Sequence, residues 1–128
     1  RIAAALGATA MHDITEGGIL GALYEVAEAS GVGIEVEQSL IPLWPETRAI
    51  TEALGIDPLK LISSGSMLIT IPEGEKLIAK LNEAGIKATI IGKVTGERRK
   101  ILKTPQGEIE ITKPESDELW RAKKILEA

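Results

Sequence analysis

His12-Asp13-Ile14-Thr15-Glu16-Gly17-Gly18 leads directly into Ile19-Leu20-Gly21-Ala22-Leu23-Tyr24-Glu25-Val26-Ala27, and the stretch closes at Ser30-Gly31. Ile19, Leu20, Leu23, Val26 and Ala27 recur at helical spacing and make one apolar stripe. The spacing predicts a helix from Gly17 to Ser30, capped by Thr15 and stopped by Gly31. The first turn of such a helix has backbone N–H groups without intrahelical partners and carries the positive end of the helix dipole. A glycine pair there lets another group come close to the backbone. An anionic group, phosphate above all, suits that arrangement. A plain helix start explains part of the pattern as well, with Asp13 and Thr15 as caps and Glu16 complementing the dipole. Two adjacent glycines favour a site, because each costs about 1 kcal/mol against alanine inside a helical turn.

Outward from this helix the chain alternates. Gly33 to Glu37 has the period of a half-buried strand. Pro42 and Pro45 punctuate a loop, and a helix is expected from Pro45 to Leu54, with Gly55 after its end. Asp57-Pro58 starts a short helix, Asp57 acting as its cap. Ser66 to Ile71 is a strand, and Glu75 to Ala84 a helix that turns Leu77, Ile78 and Leu81 inward. A strand is expected from Ala88 to about Val94. Arg98 to Lys103 and Glu108 to Ile111 pair through a turn at Pro105-Gln106-Gly107. A terminal helix is expected from Ser116 to Glu127. Helices mixed with hairpin-connected strands indicate an α+β fold, a mixed, mainly antiparallel sheet flanked by helices.

The 128 residues fit one domain with room for a real core. The aromatic residues are Tyr24, Trp44 and Trp120, so that core must be built of Ile, Leu, Val and Ala. A net charge of -4 gives no general attraction for nucleic acid or an anionic membrane. No apolar run approaches the roughly 18 residues of a membrane span, and no signal-peptide pattern is present. The absence of Cys excludes thiolate chemistry and points to the cytoplasm. Asn82 is the sole Asn, Gln38 and Gln106 are the only Gln, and Lys and Glu are plentiful, a thermophile-like usage. Arg1 to Leu6 reads as the last turns of a helix cut through, so the chain is expected to be a fragment of a longer protein.

Other candidate positions are weaker. His12, the sole histidine, has no metal-ligand spacing around it and reads as a structural residue or one that orients its neighbours. Ser63-Ser64-Gly65 is a polar turn before a strand. Arg98-Arg99-Lys100 reads as a solvated charged face. Trp120 is expected to close the edge of the core. Trp44 lies in the stiff apolar loop Ile41-Pro42-Leu43-Trp44-Pro45, which either covers another domain or folds back on its own core.

Met11-His12-Asp13-Ile14-Thr15-Glu16-Gly17-Gly18 resembles the C-terminal domain of the AIR synthase superfamily, most of all its HypE-like members. The resemblance continues through Ala22-Leu23-Tyr24-Glu25, Ala29-Ser30-Gly31-Val32-Gly33-Ile34, Ile41-Pro42, Leu54-Gly55-Ile56-Asp57-Pro58-Leu59 and Gly65. It implies a layered C-terminal domain that closes the active-site cleft of an ATP-using enzyme. It also implies an N-terminal domain that mediates homodimerisation and holds most ligands of ATP and magnesium. ATP would activate an oxygen or selenium atom of a small-molecule substrate by phosphorylation.

By the same resemblance, Asp13 and Thr15 orient the loop or the substrate, with Glu16 beside them. Gly17 and Gly18 offer N–H groups to phosphate, and Ser64 and Gly65 shape the opposite wall. The chain alone is then expected to be inactive. Two differences stand out. HypE-like members carry a reactive cysteine in a tail, and this sequence has no Cys. They also tend to have Asn-Glu-Gly where Ser63-Ser64-Gly65 stands here. These differences leave a second reading open, a non-catalytic binding or regulatory domain on the same scaffold.

Overall fold

In the computed structural model the described residues are 1–14, 17–60, 66–113 and 123–125. Helix α1 (Ile2–Ala5) precedes strand β1 (Ala10–Asp13), and helix α2 (Gly18–Ser30) follows it. Strand β2 (Gly33–Glu37) runs into a short 3-10 turn, Gln38–Leu40, and then comes helix α3 (Pro45–Leu54). A second 3-10 turn, Pro58–Lys60, precedes strand β3 (Met67–Thr70), and helix α4 (Gly74–Glu83) comes next. Strands β4 (Gly92–Thr95), β5 (Lys100–Thr104) and β6 (Gly107–Glu110) complete the described elements.

The strands form two sheets. β1 and β3 make an antiparallel ribbon, and four strands form a mixed sheet in the order β4-β2-β5-β6. Within the larger sheet β2 runs antiparallel to β4 and parallel to β5, while β5 and β6 are an antiparallel hairpin. This is the mixed, helix-flanked α+β architecture expected from the sequence.

The core forms where α2 lies on the larger sheet. Leu20, Leu23 and Ala27 of α2 pack with Ile34 and Val36 of β2, Leu102 of β5, Leu59 and Ile111. Period-2 alternation explains the sheet's contribution: Ile34, Val36 and Leu102 point to one face. Glu35, Glu37 and Lys103 point to the other, where Lys93 and Lys103 pair with Glu35 and Lys103 also reaches Glu37. The smaller ribbon leans on the same core through Leu68.

Local chemistry explains most boundaries. Pro45 stands in the first turn of α3 and Gly55 closes it in the left-handed conformation. Asp57 Oδ1 accepts from the Leu59 amide at 2.9 Å, the expected cap of the second 3-10 turn. Gly33 is required by crowding, since a Cβ there would lie 1.6 Å from the Glu97 carbonyl oxygen.

Four expectations need correction. The N-cap of α2 is Gly17, with no side-chain cap hydrogen bond, whereas Thr15 was expected to cap a helix beginning at Gly17. The ladder expected from Ala88 starts at Gly92: Ile90 turns toward α4, its Cδ1 3.2 Å from where a Cβ on Gly74 would sit, and the Ile91 carbonyl accepts from Glu37 N only at the end of β2. β5 begins at Lys100 and not at Arg98, because Arg99 N bonds back to the Glu97 carbonyl in a tight turn. β1 was not expected at all; its four residues are ordered by β3, remote in sequence. The terminal helix expected over 116–127, with Trp120, lies outside the described residues apart from 123–125, which are helical.

At the far end of α2, Lys100 is mostly covered, pairs with Glu28 and lies 5.1 Å from the Tyr24 ring centroid. The charge cluster at 98–100 is thus split, Arg98 and Arg99 exposed and Lys100 packed. The hydrogen bond from Lys100, its charge, and the more distant Arg98 hold the Glu28 carboxyl below the ordinary glutamate range.

Two outcomes follow for stability. Leu102 is 1% exposed, and Leu102→Ala should cost about 2–5 kcal/mol in denaturant unfolding. Lys100→Met should return the Glu28 titration, followed by carboxyl-carbon NMR, toward the ordinary value. A lowered carboxyl pKa stabilises the fold above the unfolded-state pKa, and the contribution disappears as pH falls through the folded-state value. The Lys100→Met protein should therefore lose less stability than the parent across that acid window.

Candidate functional site

β1 carries the motif toward α2. The last residue of the strand, exposed Asp13, is opposite Met67 of β3. Ile14 follows, buried, and its amide donates to the Ser66 carbonyl at 3.1 Å. Thr15 and Glu16 lie outside the described residues, as do Ser64 and Gly65. The residues that flank these two segments are described, and they converge. Ile14 and Ser66 are hydrogen-bonded neighbours, while Gly17 and Lys60 line one cavity. The fold therefore brings the edges of the two sequence-predicted segments to one end of the β1–β3 ribbon.

Gly17 has φ 85° and ψ -3°, and Gly18 has φ 65°. Both lie in the left-handed region, where a side chain adds strain. The glycine pair thus has a backbone reason: it lets the chain reverse from the end of β1 into the first turn of α2. The first described helical bond from this corner runs from Gly21 N to the Gly17 carbonyl at 3.1 Å. No acidic residue stands in the first turn of α2, so its dipole meets no carboxylate from within that turn.

The cavity has a volume of about 170 Å³. Leu20, Leu59 and Leu102 form its apolar floor, and Gly17 and Gly21 leave one wall without side chains. Gln38, Asp57, Lys60 and Thr112 give it a polar margin. Sequence reading did not single out Gln38 or Lys60 as site residues. The only signal near Lys60 was the Asp57-Pro58 helix start, which orders the 3-10 turn ending at Lys60. Gln38 carried no signal, because its place depends on how β2 enters its turn.

His12 is half-buried and bridges two elements. Its Nε2 is 2.8 Å from Glu25 Oε2 on α2, and its Nδ1 is 2.6 Å from the Asp13 carbonyl oxygen. This agrees with its reading as a residue that orients its neighbours. Among the described residues no group of three or more His, Asp or Glu could hold a metal ion. No described helix is long and apolar enough to cross a membrane. Trp44 stands 76% exposed while Ile41 of the same loop packs against the core. The loop is therefore anchored at one end, and its indole does not fold back on this domain.

Residues 1–104 match the family described as AIR synthase related protein, C-terminal domain. The carbamoyl dehydratase HypE of Rhodobacter capsulatus is 37% identical over 100 residues, 75% of this chain and 29% of that protein. The crystal structure of HypE from E. coli, a hydrogenase maturation protein, superimposes with a TM-score of 0.81 at 28% identity, covering 94% of this chain and 40% of that one. A structure of hydrogenase maturation protein HypE in complex with ATP matches with a TM-score of 0.73 at 26% identity, over 82% of this chain and 35% of that chain. The chain thus spans less than a third of the length of the curated HypE it matches. With its two sheets, its Asp13–Gly18 corner and the match over residues 1–104, the chain belongs to the AIR synthase related C-terminal domain family and is of the HypE type.

Proposed function

We propose that this domain forms the substrate- and phosphate-facing side of an ATP-dependent enzyme of the HypE kind, which activates a small molecule by phosphorylation. The observation that carries the reading is the glycine corner at the head of α2, within a chain of HypE type. Gly17 and Gly18 place backbone, free of side chains, at the positive end of a helix of 13 residues. Such donors stabilise developing negative charge without reorganising. Asp13, Thr15 and Glu16 would border this corner from the β1 side, and Ser64 and Gly65 from the β3 side.

ATP belongs to the proposal through the relative that binds it. Magnesium and most nucleotide contacts are assigned to an N-terminal domain, through which the whole protein would form a homodimer. In this reading the domain takes a small-molecule substrate, works in the cytoplasm, and needs neither nucleic acid nor membrane. The exposed Trp44 loop supports a covering partner, because apolar surface left in water costs roughly 25 cal/mol per Å².

Phosphate titrated into the chain should shift the amide resonances of Gly17, Gly18 and Ile19, and Gly18→Val should abolish the shifts. Shifts confined to other parts of the chain would refute the phosphate site. A Trp120→Phe chain should emit as an exposed indole from Trp44, and the emission should move to the blue when the N-terminal domain is attached. Emission that stays the same in the longer protein would remove the Trp44 loop from the domain interface.

A further inference from the structure

His12 has an acceptor at each ring nitrogen. The Asp13 carbonyl oxygen lies 2.6 Å from Nδ1, and Glu25 Oε2 lies 2.8 Å from Nε2. A carbonyl can only accept, and an ionised carboxylate can only accept. A neutral imidazole has one N–H and serves one of the two, whereas an imidazolium serves both. The ring thus spans the two elements that meet at the glycine corner, one contact at the end of β1 and the other about two turns into α2.

We propose that His12 is a positioning residue, a clasp between β1 and α2 that is complete only when the ring carries both protons. The seating of Ile14, Gly17 and Gly18 then depends on whether the ring carries one proton or two. The clasp stands on its own geometry; its consequence for ligand binding rests on the phosphate-facing reading of the same corner.

Among the described residues these groups face the ring. From α2 the facing charge is Glu25, and Glu28, further along that helix, is engaged by Lys100. On its own strand Asp13 faces the ring through the backbone carbonyl. From β3, Leu68 stands opposite, and Met67–Thr70 contain no titratable side chain. The His12 and Glu25 side chains are 31% and 53% exposed, so protons exchange with solvent directly.

The test is NMR of the chain as a function of pH, without phosphate. Ring-nitrogen spectra should show both nitrogens protonated at the acid end. As one proton leaves, the amides of Ile14, Gly17 and Gly18 should move with the ring in a single shared titration. In Glu25→Ala the ring should still titrate while the Gly17 and Gly18 amides no longer follow it. Glu25→Gln, which keeps an acceptor, should restore part of the response, whereas a purely structural role for His12 would give no such shared titration. Gly17 and Gly18 amides that stay fixed while the wild-type ring titrates would overturn the clasp, as would an equal response in Glu25→Ala. Repeating the series with phosphate separates the two readings. A clasp without phosphate shifts refutes only the functional reading, and phosphate shifts without pH coupling refute only the clasp.

Discussion

The seating of the α2 apolar stripe on β2 and β5 is the contact on which the other parts depend. Leu20, Leu23 and Ala27 meet Ile34, Val36 and Leu102 there, and Leu102 is almost fully buried. With few aromatic residues available, burial has to come from many aliphatic side chains at close packing. That contact sets where the head of α2 points. It also forms the floor of the cavity, since Leu20 and Leu102 belong to both. The corner at Gly17 and Gly18 is therefore held from beneath by the core and from the side by the β1–β3 ribbon.

The ribbon is the smaller sheet, yet it performs the joining. Its register puts Ile14 beside Ser66, whose carbonyl accepts from the Ile14 amide. Thr9 adds to the same joint, its amide donating to the Thr70 carbonyl at 2.8 Å and its hydroxyl lying 2.8 Å from that of Thr70. His12 then ties the ribbon to α2 through Glu25. Under the proposed function such bracing would matter, because preorganised donors lose less when a ligand arrives.

The chain has the family's scaffold, with a glycine corner at Gly17 and Gly18. These 128 residues contain no Cys. Fold similarity transfers the scaffold, while the chemistry depends on the particular side chains around it. Ser63-Ser64-Gly65 supplies hydroxyl groups and no carboxylate.

What the sequence by itself determined was local: α2, α3 and α4, their glycine stops, the Asp57 cap and the β5–β6 hairpin were all legible. Those features rest on spacing, caps and turns within a few residues, which physics reads from neighbours along the chain. The Met11–Gly18 motif also carries the family resemblance in the sequence alone. Only the tertiary structure decided the rest. β1 is a strand because β3 completes its ladder, and four residues alone carry too little pattern to show it. Lys100 is packed because Tyr24 and Glu28 come to it from another element. Gln38 and Lys60 reach the cavity, and His12 reaches Glu25, because long-range pairing brings distant segments together, and no local signal encodes that pairing.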